Sequence, residues 1–213
     1  MSLSQPSVLE RAPDSDRRDH IIAAAQRAFV RHGFHAATMQ QVAEEAGMSA
    51  GNLYRYFPSK EAIVQGLCEF DQRQRSAAFA TLLDSDSVLE TLATMLGEHL
   101  LAKPRERAMM FVEITAEAAH NPRIAEMSLA IDASVRRGLA TLVEKAKANG
   151  EAAASVDPNY ASRVIFTLVG GLFKRRALEP DFDPSVEAAM TLGVLEALFS
   201  GAIAPSPRAA EMR

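Results

Sequence analysis

Asparagine and arginine can hydrogen-bond in pairs to adenine and guanine edges, while tyrosine, threonine and cations hold phosphate oxygens. Residues 49–60, Ser-Ala-Gly-Asn-Leu-Tyr-Arg-Tyr-Phe-Pro-Ser-Lys, bring these types together on one short predicted helix, Ala50–Phe57. At about 100° per residue, with Ala50 at zero, Leu53 falls at about 300° and Phe57 at about 340°, forming an apolar edge. Gly51, Arg55 and Asn52 fall at about 100°, 140° and 200° on the opposite edge, flanked by Tyr54 and Tyr56. Such a face, with a glycine where bulk would obstruct, suits a helix that enters a DNA major groove. The plainer reading is a solvated polar face on an ordinary helical hairpin.

Four other residues could hold phosphate. Arg17 and Arg18 are expected in the first turn of a helix, where the macrodipole disfavours cations. An external anion would account for them, as would their neighbours Asp16 and Asp19. Thr38 begins a helix whose free N–H groups point outward, although a capping box with Gln41 explains it equally well. Lys60 sits in the first turn after Pro58.

The elements that must position these residues are all helical, since no alternating strand pattern is present. Helices are expected over about Asp16–Arg31, from Thr38 to a stop at Gly47, over Ala50–Phe57, and from Ser59 to Leu83. Five longer ones follow: Asp86–Ala102, Pro104–His120, Pro122–Asn149, Pro158–Ala177 and Pro184–Ile203. The expected class is therefore all-α with about nine helices. Residues 16–60 form a helix-turn-helix DNA-binding domain, 61–203 a larger helical domain, and 1–15 and 204–213 disordered tails.

Composition removes several function classes. Of 213 residues, 48% are hydrophobic, enough for a real core, and a single cysteine excludes a disulfide framework or a cysteine-based zinc site. The longest apolar run, Val164–Phe173, is about half of the ~20 residues that span a membrane, so no membrane partner is expected. The acidic N-terminus lacks the apolar stretch of a signal peptide, so a soluble cytoplasmic protein is expected. The net charge of −4 argues against nucleic acid only as an average. Residues 17–60 hold six basic against three acidic residues, +3, and residues 61–213 hold 16 against 21, −5. A basic module precedes an acidic body.

The run Ile21-Ile22-Ala23-Ala24-Ala25, Phe29, Gly33-Phe34, Ala37-Thr38-Met39, Val42-Ala43, Ala46-Gly47-Met48-Ser49 and Asn52 to Glu61 resembles the N-terminal domain of TetR-family transcriptional regulators. The resemblance implies a homodimeric repressor with a three-helix DNA-binding domain and a helical domain that binds ligand and dimerises. It places Thr38, Tyr54, Tyr56 and Lys60 at phosphate-contact positions, and Asn52 and Arg55 on the base-reading face. Many relatives carry Lys, Arg or Pro where this chain has Ala50, and the likeness fades past about residue 70.

The acidic body should then supply an effector pocket and a dimer interface. Met95, Met110 and Met127 suit an adaptable apolar pocket as well as core filling. Glu113, Glu117 and His120 share one helical face, with His99 on the preceding helix. Glu117 and His120 have the Glu-x-x-His spacing of metal-binding bundles, but a single copy does not make a site, and no metal or cofactor is expected. Met95, His99, Met110, Glu113, Glu117, Met127 and Phe166 are the candidate pocket for an unidentified small-molecule effector. The last two long helices are apolar on more than one face, making Phe166, Gly170, Phe173, Leu195, Leu198 and Phe199 the candidate interface. Cys68, among Ile63, Val64, Leu67 and Phe70, reads as a small buried hydrophobe before a redox switch. An enzyme in the body has no nucleophile elbow or phosphate loop to support it.

Overall fold

Local caps set most of the helix boundaries. Three of the long helices open on an Asx-Pro pair: Asn121-Pro122, Asp157-Pro158 and Asp183-Pro184. Proline at the first helical position has no N–H to satisfy, and the preceding side chain accepts from the next two amides. Asp157 accepts from Asn159 N at 2.8 Å and Tyr160 N at 3.1 Å, and Asp183 from Ser185 N at 2.9 Å and Val186 N at 3.3 Å. Gly33 and Gly47 take positive φ, 77° and 65°, where the chain leaves the first and second helices.

The computed structural model describes residues 13–83, 85–97 and 104–205, with side chains for all but 13 and 75–83 of these. Among the described residues the elements are all helices: α1 (Pro13–His32), α2 (Met39–Glu45), α3 (Ala50–Tyr56), α4 (Lys60–Leu83), α5 (Val88–Gly97), α6 (Arg105–Ala118), α7 (Pro122–Ala148), α8 (Pro158–Leu178) and α9 (Pro184–Phe199). No described helix is long and apolar enough to cross a membrane. Among the described residues two boundaries differ from expectation by three residues or more. α1 starts at Pro13, so Arg17 and Arg18 follow the acidic first turn of Asp14 and Asp16 instead of occupying it. α9 stops before Ile203 because Gly201 takes φ 80°. The predicted end of α5, with His99, lies outside the described residues.

Two compact units divide inside α4, between Leu67 and Cys68. In the first, Ile21, Ile22, Ala25 and Phe29 of α1 are buried with Val42 and Ala43 of α2, Leu53 of α3, Phe57, and Ile63 and Val64 of α4. Phe34 meets Phe29 edge to face, with centroids 5.1 Å apart. α4 approaches so closely at Gly66 that a Cβ there would lie 2.7 Å from both Ile22 Cδ1 and Phe57 Cε1. That contact holds the end of α3 in place.

In the second unit α5, α7, α8 and α9 share a core of Val88, Leu92, Leu142, Val143, Ile165, Leu195, Leu198 and Phe199, and α6 packs on α7 and α8. Cys68 is half-buried. The N-terminus of α5 is capped by Glu151, distant in sequence, which accepts from Val88 N at 3.0 Å, Leu89 N at 3.1 Å and Ser87 Oγ at 2.9 Å. Burial works to raise its carboxyl, but these donors and the Asn149 amide outweigh it and hold it below the ordinary carboxylate value. A carboxyl depressed in the folded state adds stability that is complete above its unfolded value, about 4.3, and disappears as pH falls through the folded value. Thermal melts across pH 2–7 are therefore expected to show an acid-side loss below about 4.3 that is shallower in Glu151→Gln. Identical acid limbs would refute it.

Candidate nucleic-acid interface

α3 is too short to stand alone, and packing supplies what its length cannot. Ser49 caps it, accepting from Asn52 N at 3.3 Å. Leu53 is fully buried and Phe57 is 1% exposed, as the angular reading of the sequence requires. Gly51 and Arg55 are exposed, Tyr54 is 50% exposed, and Asn52 and Tyr56 are half-buried beside them. A Cβ on Gly51 would meet nothing within 4 Å, so the fold itself has no need of a glycine there. The outward face thus offers two bidentate hydrogen-bonding side chains and a hydroxyl, with a gap where bulk would obstruct an approaching surface.

Thr38 has the predicted capping box. Its Oγ1 accepts from Gln41 N at 3.2 Å, and its own N–H donates to Gln41 Oε1 at 2.8 Å. The side chain is exposed, but its one O–H donates to Gln41 Oε1 at 3.2 Å, so the hydroxyl reaches a phosphate only by leaving that bond. Arg17 is exposed as well.

Lys60 and Arg18 have positions that sequence reasoning missed. Lys60 Nζ donates to three backbone carbonyls, Phe34 O at 2.7 Å, His35 O at 2.9 Å and Ala37 O at 3.0 Å, and lies 4.9 Å from the Phe34 ring centroid. An ammonium has three N–H donors, so none is left for a phosphate. Lys60 is a clasp on the loop that leads into Thr38. Arg18 donates to Tyr56 O at 3.0 Å, and its guanidinium covers the Phe57 ring at 4.4 Å, pinning α1 to the last turn of α3. Its remaining donors stay available beside α3.

Three further positioning contacts carried no local sequence signal. Glu45 accepts from Arg27 Nε and Arg31, each at 2.8 Å. The hydrogen bond from Arg27 is the main reason its carboxyl is lowered below the ordinary value, against the effect of burial. His20 Nε2 lies 3.2 Å from Ala46 O, tying α1 to the turn before α3. Two of the six cations counted in the basic module thus share one of its three carboxylates.

In the body the described candidate pocket residues fall on α5, α6, α7 and α8. Met110 is buried, and Met95, Glu113, Glu117, Met127 and Phe166 are half-buried, with Met95 and Phe166 packed on the core. Glu117 accepts from Asn121 Nδ2 at 3.3 Å, and His120 is exposed. Among the described residues no cluster of three His, Cys, Asp or Glu could hold a metal ion. A cavity of about 540 Å3 does lie between α7 and α8, but Arg136, Arg137 and Arg163 line it, not those residues.

The candidate interface also changes. Leu195, Leu198 and Phe199 are at most 3% exposed, consumed by the core of their own subunit, so they cannot face a second chain. Phe173 meets Phe111 with ring centroids 5.6 Å apart and planes tilted by 40°, and Phe166 and Gly170 are half-buried. The apolar surface that α8 and α9 leave outside is instead Leu178 at 59%, Val186 at 61% and Met190 at 50%.

This arrangement agrees with known proteins. The family model described as "Bacterial regulatory proteins, tetR family" matches residues 21–67, and that described as "BetI-type transcriptional repressor, C-terminal" matches residues 88–200, more than half of the chain. The HTH-type transcriptional regulator UidR of Escherichia coli K12 is 28% identical over 193 residues, 89% of this chain and 94% of that protein. The solved structure of Salmonella enterica GusR superposes with a TM-score of 0.74 at 26% identity, over 88% of this chain and 97% of that one. Bacillus subtilis FadR in complex with stearoyl-CoA shares the fold, with a TM-score of 0.72 at 23% identity over 86% and 98% of the two chains. With a capped helix-turn-helix matched at one end and a helical body matched at the other, the chain belongs to the TetR family of transcriptional regulators, DNA-binding proteins and not enzymes.

Proposed function

We propose that the chain is a cytoplasmic, ligand-responsive repressor that binds a palindromic operator as a homodimer and leaves it when a small-molecule effector occupies the body. The observation that carries the reading is the outward face of α3, where Asn52 and Arg55 stand beside open space at Gly51 while Leu53 and Phe57 anchor the helix. Asn52 and Arg55 read base edges, and Tyr54, Tyr56, Thr38, Arg17 and the spare donors of Arg18 hold phosphates on either side of the groove. Half-sites about 34–36 Å apart need two such helices. The exposed Leu178, Val186 and Met190, with Gly193 exposed on the same side of α9, support a second copy as the partner. Met95, Met110, Glu113, Glu117 and Met127 of α5, α6 and α7 remain the candidate effector lining, and FadR of the same fold is known with stearoyl-CoA. The effector acts only through its different affinity for two conformations of the body.

Selection from random duplexes with the purified chain tests this reading. An enriched inverted repeat is expected, and a wild-type protein that enriches no sequence would overturn it. On the selected site Arg55→Ala is expected to cost about 1–3 kcal/mol and to relax preference at one base pair. Equal losses on selected and random DNA would remove Arg55 from base reading.

A further inference from the structure

We propose that the cleft between α7 and α8 binds a small polyanion, a metabolite carrying carboxylate or phosphoryl groups. Ala133, Arg136, Arg137 and Ala140 recur at i, i+3, i+4 and i+7 on α7, and Asn159, Ser162 and Arg163 at i, i+3 and i+4 on α8. Each set therefore occupies one face of its helix, and the two faces meet. Alanines at 133 and 140 leave unfilled the space that larger side chains would close. The resulting volume, about 540 Å3, is that of a small-molecule site.

The charge at this cleft is unusual for its surroundings. Residues 61–213 are acidic overall, yet three arginines line this one cleft. Three other arginines of the body are engaged: Arg175 with Glu179 and Glu187, Arg107 with Asp71, and Arg105 with the carbonyls of Arg176 and Ala177. Among the described residues Arg136, Arg137 and Arg163 form no ion pair. Arg136 Nε reaches only the Asp132 carbonyl at 3.4 Å, and its guanidinium lies 6.0 Å from the Phe166 ring centroid. The nearby Asp157 carboxylate is committed to the first amides of α8. Three like charges held together repel one another, and a bound oxyanion relieves that repulsion while accepting paired N–H donors from each planar fork. The Asn159 amide adds a neutral donor at the same edge. The site does not depend on the DNA-binding reading and is measurable without DNA.

The test is calorimetric titration of the full chain with inorganic pyrophosphate and with citrate, against sodium chloride at matched ionic strength. Saturable binding of one anion per chain is expected, with a rise in melting temperature. The preferred probe distinguishes phosphoryl from carboxylate recognition. Arg136→Ala/Arg163→Ala is expected to weaken binding at least tenfold, Ala140→Met to weaken it comparably by filling the cleft without changing charge, and Arg123→Ala, elsewhere on α7, to leave it unchanged. Signal that follows only ionic strength would overturn the proposal, as would full binding by Ala140→Met. So would sedimentation showing that the double variant loses binding only because it loses its dimer.

Discussion

Replacing Gly51 by leucine is expected to reduce operator binding to its non-specific level, a loss of about a thousandfold or more, in a chain at least as stable as the wild type. Both halves follow from the same observation. A Cβ at residue 51 meets nothing of this chain within 4 Å and the residue is exposed, so a side chain there starts into open space. Removing glycine from a helix gains up to about 1 kcal/mol in propensity, less in a first turn such as this one. The cost arises only when α3 approaches a base-pair edge, where an isobutyl group displaces the backbone that brings Asn52 and Arg55 into range. Gly66 gives the contrast, since a Cβ there would strike Ile22 and Phe57 at 2.7 Å and the fold itself would have to give. Fluorescence anisotropy on the selected site, paired with thermal melts, separates the outcomes. Retained affinity would mean that α3 does not enter the groove, and a lower melting temperature would mean that Gly51 packs against its own chain.

The contrast between those two glycines marks where the sequence was legible. Signals that act within about four residues could be read directly: the Asx-Pro starts of α7, α8 and α9, the Thr38 capping box, and the burial of Leu53 and Phe57 opposite Arg55. Helical periodicity determines such features completely, since the partners lie on one turn. What could not be read were bonds made across the fold. Lys60 and Arg18 satisfy carbonyls that are remote in sequence, and Glu151 caps a helix from still further away. Nothing in the composition of those segments distinguishes a cation aimed at a phosphate from one aimed at a backbone oxygen. The facing of α9 is hidden for another reason. Both of its faces are apolar, so periodicity could not say that Leu195, Leu198 and Phe199 turn inward while Val186 and Met190 turn outward. The arginine cleft was invisible because Arg136 and Arg163 become neighbours only when α7 and α8 pack.

Lys60 turns that distinction into a measurement. Lys60→Met keeps most of the aliphatic stem but removes the donors to Phe34 O, His35 O and Ala37 O, together with the charge near the Phe34 ring. Hydrogen bonds from a charged group contribute about 1.5–3 kcal/mol, and water reaching these partly exposed carbonyls recovers some of it, so a loss of about 2 kcal/mol is expected. Lys60→Arg should fail to restore it, because a planar fork cannot direct three donors to three carbonyls around one point. The salt dependence decides between clasp and contact. A lysine that neutralised a phosphate would, when removed, lower the slope of log K against log salt by about 1. With every N–H of Nζ already donated within the chain, the slope in Lys60→Met should instead match the wild type at temperatures where both are folded. A reduced slope with unchanged stability would return Lys60 to the DNA backbone and remove the clasp.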